Sequence, residues 1–361
     1  MTPHKGNSVA PPAPAHHAEM PDAPPAERTA ARRLSTRVGR MRELGIVVAL
    51  ALVVIPTAVV NPRFIQPQSL RDLLLNASIV ALLAVGQTLV VITRNVDLSV
   101  GSVLGLSAFL TAQQFADHPG TPLLAGIGFG VAVGLACGLL NGLLVALGNV
   151  PSLVVTLGTL YVFRGIDYAL AQGRQVNAAN LPDALLDLGS SRVLGVPVLV
   201  LVTVVVIAAA ALHLRSYRCG RELYAIGSNP EAATLAGIPV ARRTLTAFVL
   251  SGLIAGLAGA LWVARYGTVD AAAGTGLELQ VVAAVVVGGV AIFGGSGTVA
   301  GAALGALLLG TITSCLVVLQ IPAFWQQAIA GALLLGAITV DRLLALRLAK
   351  ALRTTEGTSH A

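Results

Sequence analysis

From about residue 44 the chain alternates long apolar runs with short polar or glycine-containing stretches. Ten runs can be drawn, at about 44–60, 73–93, 97–115, 123–147, 151–171, 195–213, 245–265, 278–293, 298–318 and 324–344. A helix needs roughly 20 mostly apolar residues to cross the hydrocarbon core of a bilayer. The pattern therefore predicts an all-α fold, a polytopic transmembrane helical bundle of about ten helices. Two polar interruptions, Thr93–Ser102 and Gly288–Thr298, predict broken or re-entrant segments, because irregular backbone at membrane depth must line protein or water.

Two connectors are longer than simple turns. One, at about 172–194, is polar; the other, at about 214–244, carries arginines and a capped-helix pattern. Residues 1–43 differ from all of this. Seven of the chain's 18 prolines lie between Pro3 and Pro25 and are followed by Arg28, Arg32, Arg33, Arg37, Arg40 and Arg42. Such a segment cannot bury a core, and the first apolar run begins too late for an ordinary cleaved signal peptide. The expected organisation is a disordered basic cytoplasmic tail (1–43), a membrane domain (44–345) and a second cytoplasmic tail (346–361).

Composition supports the membrane reading. Hydrophobic residues make up 55% of the chain, charged residues 11%, and mean hydropathy is +0.83; soluble domains carry roughly 25% charged residues. A soluble enzyme is excluded. The formal charge of +7, from 23 basic and 16 acidic residues, is unevenly spread. With both termini inside, 17 of the 23 basic residues fall on cytoplasmic segments, and Arg63, Arg71, Arg164, Arg174, Arg192 and Arg265 do not. That asymmetry follows the positive-inside rule and needs no nucleic-acid partner. The two lysines, Lys5 and Lys350, do not sit in a P-loop pattern, so the chain has no ATPase site of its own. Cys137, Cys219 and Cys315 are widely spaced, and His16 and His17 read as tail residues, so neither a metal site nor a cofactor is expected.

The first interruption contains Arg94, Asn95, Asp97, Ser99 and Gly101. Charges at membrane depth face the protein interior or a water-filled cavity. Arg94 and Asp97 are expected either to form a loop pair that ends one helix and caps the next, or to take part in a translocation path; the two are compatible. The second interruption, with Gly294, Gly295, Ser296 and Gly297, has a GGSG run like that of intramembrane serine proteases. Nucleophilic chemistry would require a base near Ser296. His360 and His213 lie elsewhere and no lysine is in a span, so a flexible turn between packed helices is the better account.

In the long basic connector, Asn229 is a good N-cap, Pro230 fits the first helical position, Glu231 complements the dipole and Gly237 suits a left-handed C-cap. One short, rigid, arginine-flanked helix suits docking on another protein. Glycines also recur every four residues: Gly126 to Gly142, Gly252 and Gly256 followed by Ala260, and Gly297, Gly301 and Gly305. Residues so spaced share a helix face and permit close helix approach in lipid, within a subunit or between subunits. With 4% aromatic residues and two tryptophans, Trp262 and Trp325, the chain offers few faces for tight sugar capture.

Taken in order, these segments resemble the permease subunits of bacterial ATP-binding-cassette sugar importers, the ribose/xylose/arabinose group. The matching marks are Val85-Gly86-Gln87-Thr88 to Asp97-Leu98-Ser99-Val100-Gly101-Ser102, Asn141-Gly142, Val155–Thr159, Gly227–Gly237, Gly274–Leu279, Gly288-Gly289 and Gly294-Gly295. The resemblance runs over about three quarters of the chain, from Leu73 to Arg342. Many such permeases have Gly-Gly-Ile where this chain has Arg94-Asn95-Val96; the Thr-Arg-Asn form looks like the branch transporting rhamnose or autoinducer-2, with rhamnose favoured. Gln280 stands where the family usually has Asp.

The resemblance implies that Glu231, Ala232, Ala233 and Gly237 form the coupling loop that docks on a cytoplasmic ATP-binding subunit. It also implies a periplasmic sugar-binding protein docking on about 172–194 and 266–277, and a second permease, of the same or a related chain, in the bacterial inner membrane. Candidate residues for the translocation path are Asn95, Asp97, Ser99, Gly101, Gly294, Gly295 and Gly297. A proton-coupled secondary transporter using Asp97 is the alternative, since broken helices near the midplane serve such transporters too.

Overall fold

A computed structural model describes residues 45–322, together with Trp325, Ala328, Ile329, Gly331, Ala332, Leu335, Gly336 and Thr339. Both expected tails, and most of the tenth apolar run, lie outside the described residues.

The helices in chain order are α1 (Gly45–Val60), α2 (Pro67–Ile92), α3 (Val100–Asp117), α4 (Leu123–Ala146), α5 (Ser152–Ala171), α6 (Asp183–Ser190), α7 (Val198–Ser216), α8 (Arg218–Ser228), α9 (Pro230–Leu235), α10 (Val240–Tyr266), α11 (Leu277–Val287) and α12 (Val299–Val318). Local chemistry sets several ends. Pro67 occupies the first turn of α2, where its missing N–H costs nothing. Thr298 Oγ1 accepts from Gly301 N at 3.0 Å to start α12. Gly267, at φ 65°, ends α10.

The bundle is organised around α2. Every residue from Ala77 to Ile92 is buried, and the helix touches α7, α10, α11 and α12. Its central 18-residue window is 94% buried, against 28%, 28% and 17% for α4, α5 and α7. A helix that is apolar all round is at home in the middle of a bundle. The other three turn apolar side chains outward, as lipid-facing helices do.

The glycine stripes predicted from spacing meet each other. A Cβ on Gly134 of α4 would fall on Gly252 O and 2.5 Å from Gly256 Cα of α10, and one on Gly256 would stand 2.6 Å from Gly130 O. Ser107 of α3 closes this three-helix seam by hydrogen bonding to Gly130 O (2.8 Å) and Gly256 O (3.0 Å). Small faces of this kind bring backbones close enough for dispersion and Cα–H contacts to hold helices together in lipid.

Among the described residues six helices, α2, α4, α5, α7, α10 and α12, are long and apolar enough to cross a membrane. The expected span at 278–293 is instead the 11-residue α11, only about 16 Å long at 1.5 Å per residue. The run drawn from 97 begins its helix at Val100, because residues 93–99 are held in irregular backbone. The connector at 172–194 carries α6, and a small hairpin follows it in which Arg192–Val193 pairs with Val196–Pro197. Val176 forms an antiparallel bridge with Val269, which joins this connector to the segment before α11.

Candidate functional site

At one end of the bundle, three segments far apart in sequence come together: residues 93–99, residues 288–298 and the α8–α9 pair. The first is fastened by side chains. Val96 N donates to Ser152 Oγ (3.2 Å) and Leu98 N to Thr156 Oγ1 (3.1 Å), tying the irregular backbone to the start of α5. Asp97 Oδ1 accepts from Ser99 N (2.9 Å) and Ser99 Oγ (2.6 Å), while Asn141 Nδ2 of α4 donates to Ser99 Oγ (2.8 Å). The Gln87 carboxamide, oriented to satisfy both groups, donates to Asp97 O (3.0 Å) and accepts from Asp97 N (3.2 Å). Asp97, Ser99, Gln87 and Asn141 are all buried. Buried polar groups are for the most part hydrogen-bonded; this cluster cross-links α2, α4 and α5 around the break, with Asn141 Oδ1 left without a partner.

The second segment has almost no side chains to offer. Gly295 N instead donates to Ile92 O (3.0 Å), a carbonyl freed at the C-terminus of α2. Gly294 and Gly295 have φ of 79° and 76°, a region L side chains rarely adopt. A Cβ on Gly295 would stand 2.7 Å from Ser228 Oγ and 2.9 Å from Ser228 N, so the segment lies directly on the end of α8. Tyr224 of α8 adds a bond from its hydroxyl to Gly297 O (2.9 Å).

The third segment is built as the residues suggest, with one addition. Asn229 Oδ1 accepts from Ala232 N (3.0 Å), Pro230 opens α9, and Gly237, at φ 76°, closes it while Ile238 N donates to Ala233 O (3.0 Å). Ala233 packs inward; Glu231, Ala232 and Gly237 are exposed, and Leu235 is 90% exposed at the tip. The addition is α8, an 11-residue helix that leads directly into the cap of α9. Its Leu223 and Ile226 are buried, a three-residue spacing that marks an amphipathic helix. Glu222 anchors it through Arg243 (2.5 Å) and Arg218 (2.7 Å). The hydrogen bond from Arg243, aided by that from Arg218, holds the Glu222 carboxyl below the ordinary glutamate value of 4.5.

The expected Arg94–Asp97 pair does not form. Asp97 turns inward to Ser99, whereas Arg94 turns away, donating from Nε to Gly227 O (2.5 Å) and from Nη2 to Ser228 O (2.6 Å). A deep carboxylate surrounded by its own hydrogen-bond donors has no need of the guanidinium, and an arginine at the rim finds the free carbonyls of a helix end.

The candidate path residues thus divide. Gly294, Gly295 and Gly297 lie at the junction with α8; Asn95 bonds locally, its Nδ2 donating to Thr93 O and Thr93 Oγ1 (both 3.0 Å); Asp97 and Ser99 sit in the polar cluster; Gly101 faces another partner. A Cβ on Gly101 would stand 2.7 Å from Gly274 O and would fall on the Glu278 carboxylate, so the Asp97–Ser102 and Gly274–Leu279 motifs meet. The segment carrying Gly274 is held by Arg164 of α5, which donates to Ala271 O (2.9 Å) and Ala273 O (2.7 Å). Beside it a cavity of about 370 Å³ is lined by Gln175, Trp262, Tyr266, Thr268, Asp270 and Thr275, among others. The Trp262 and Tyr266 rings are 4.4 Å apart. Along the chain Arg164 stands out only as a non-cytoplasmic charge and Trp262 only as one of two tryptophans; the i, i+4 spacing of Trp262 and Tyr266 is the one local signal of the pair.

A family model described as branched-chain amino acid transport system / permease component matches residues 69–338. The chain belongs to this permease family. The autoinducer-2 import system permease protein LsrC of Escherichia coli K12 is 37% identical over 322 residues, covering 86% of this chain and 90% of that protein. The LsrC proteins of Klebsiella pneumoniae (38% over 309 residues) and Enterobacter sp. strain 638 (36% over 310 residues) cover 86% of this chain, and 89% and 86% of themselves. No solved structure matches. The permease is therefore a multi-pass inner-membrane transport subunit of the ATP-binding-cassette importer class, not an enzyme, and ATP hydrolysis belongs to a separate subunit.

Proposed function

We propose that this permease carries a small sugar or sugar-like solute delivered by a periplasmic binding protein, and that α9 is where the cytoplasmic ATP-binding subunit docks. One observation carries the reading: the exposed, doubly capped α9 grows directly from the junction that joins both helix breaks. A push on such a knob is delivered to irregular backbone rather than to rigid helix middles. In this reading the α9 end is cytoplasmic, along with both termini, in keeping with the arginines at 94, 215, 218, 221, 242 and 243 on that side. The opposite end, with 172–197 and 267–276, faces the binding protein.

Autoinducer-2 is the favoured solute, because the relatives that align over most of the chain are autoinducer-2 permeases; rhamnose, which the Thr-Arg-Asn motif alone favoured, becomes its competitor. The cavity suits either class. It combines two aromatic faces with an amide, a carboxylate and two hydroxyls, the mix that orients polyhydroxylated ligands. Asp97 and Ser99 act here as positioning residues for the break, and a second permease completes the path.

The test is purification from native membranes in mild detergent, with co-purifying chains identified and uptake of labelled autoinducer-2 and rhamnose compared. An ATPase present in near-stoichiometric amount, with uptake lost in Glu231→Arg or Gly237→Asp, is the expected result. Normal uptake by both variants would remove the docking assignment. Uncoupler-sensitive uptake by the purified chain without an ATPase would establish the proton-coupled alternative.

A further inference from the structure

Arg94 touches all three segments of the junction. It is a non-glycine residue at φ 65°, a conformation that an L side chain adopts against steric resistance and glycine adopts freely. Something must hold it there, and its guanidinium does. The two carbonyls it binds, Gly227 O and Ser228 O, are the last two of α8 and immediately precede Asn229, the cap of α9. Those carbonyls have no partner within their own helix and lie at its negative end, where a guanidinium fork is the fitting donor. On its other side, a Cβ on Gly294 would stand 2.5 Å from Arg94 Cγ, so the arginine stem lies on the second break. Two residues back, Ile92 O receives Gly295 N.

We propose that Arg94 is a strut: a positioning residue that transmits movement of the α8–α9 pair to both helix breaks, so that ATPase closure at α9 becomes rearrangement of the membrane-embedded segments. This rests on the reading of α9 as the ATPase dock. A residue serving only as a helix cap would alter stability. A strut alters how tightly α9 and the second break move together.

The experiment places spin labels at Leu235→Cys on α9 and Phe293→Cys on the second break, both on exposed side chains, in a Cys219→Ser background. The permease, with its ATPase subunit, is placed in lipid nanodiscs and its distance distribution measured with and without trapped nucleotide. With Arg94 intact, a narrow distribution whose mean does not change with nucleotide is expected, because the two labelled segments move as one. Arg94→Gly, which keeps the backbone conformation accessible, should broaden the distribution about twofold. It should also let the mean distance change with nucleotide, while leaving ATP hydrolysis within about twofold. Arg94→Lys keeps the charge but loses the fork and should behave in the same way; it decides the matter if the glycine variant does not fold. A width like the parent's, with a mean that still does not change with nucleotide, in the variant that is read would overturn the strut. Loss of the ATPase subunit from Arg94→Gly alone would also overturn it, making Arg94 a docking contact. Absence of an ATPase even from the unsubstituted chain would sink the docking reading, and the distance width would then decide on the strut alone.

Discussion

The two helix breaks solve the same problem by opposite means. Both interrupt apolar runs, and both must satisfy backbone polar groups away from water. Residues 93–99 do so with side chains: Asp97, Ser99, Asn141, Ser152, Thr156 and Gln87 form a buried network reaching from α2 to α5. Residues 288–298 do so with backbone, using glycines to approach Ile92 and Ser228 and depending on Tyr224 and α2 for partners. A network of bonded side chains has one good arrangement and loses much on deformation. A glycine-rich turn has several arrangements and loses little. The comparison makes the first break the fixed point of the junction, internally rigid and moving as a unit, and the second its joint.

The largest effect should follow from breaking the fixed point. Asp97→Ala strips the acceptor from Ser99 N and Ser99 Oγ in a buried setting, where each orphaned group costs about 1–3 kcal/mol. We expect loss of most monodisperse protein in detergent, with Asp97→Asn, which keeps an oxygen acceptor, recovering a large part. Equal behaviour of the two variants would mean that the carboxylate oxygen is not what holds the break. Next comes Gly295→Val, which puts a branched side chain at φ 76° against Ser228. Strain of about 1–3 kcal/mol is expected, read as a lower thermal midpoint of aggregation. If the second break is the looser segment, this change should cost less than Asp97→Ala, and the reverse order would refute the assignment of fixed point and joint.

A third prediction concerns pH. Because Arg243 and Arg218 hold Glu222 below the ordinary glutamate value of 4.5, its contribution is fully present above that value and is lost as pH falls through the lowered one. Thermal stability of the parent protein should therefore fall more steeply below about pH 4.5 than that of Glu222→Gln. Parallel pH profiles would show that α8 is not anchored by this charge. The smallest effect is expected for Tyr224→Phe, which removes one partly buried bond to Gly297 O, about 1 kcal/mol. Its signature should be faster hydrogen exchange at 294–298, with 93–99 unchanged.

Much of this was legible along the chain where the relevant interactions are short in sequence. The cap at Asn229, the first-turn Pro230 and the C-terminal Gly237 span only a few residues, and their backbone geometry follows from those side chains alone. The glycine stripes were readable as close-packing faces because four-residue spacing is a property of one helix. That α4 and α10 are the helices they join was not, since spacing says nothing about which neighbour arrives. Arg94 shows the limit most clearly. Its nearest acidic neighbour, Asp97, made a local pair the natural expectation, yet its partners are carbonyls at Gly227 and Ser228. Backbone carbonyls have no sequence signature. The role of Arg164, whose acceptors are Ala271 O and Ala273 O, is illegible along the chain for the same reason.

By itself the sequence determined the membrane environment, the helical class, the positions of the breaks and the local capping of α9, because hydropathy, glycine and proline act over one or two turns. Only the tertiary structure decided that α2 stands at the centre, that α11 is too short to span, that the second break bonds to the end of α2 and that Arg94 bridges to α8. Those outcomes depend on which freed carbonyls and small faces meet once the helices are packed, and that pairing is a property of the assembled bundle.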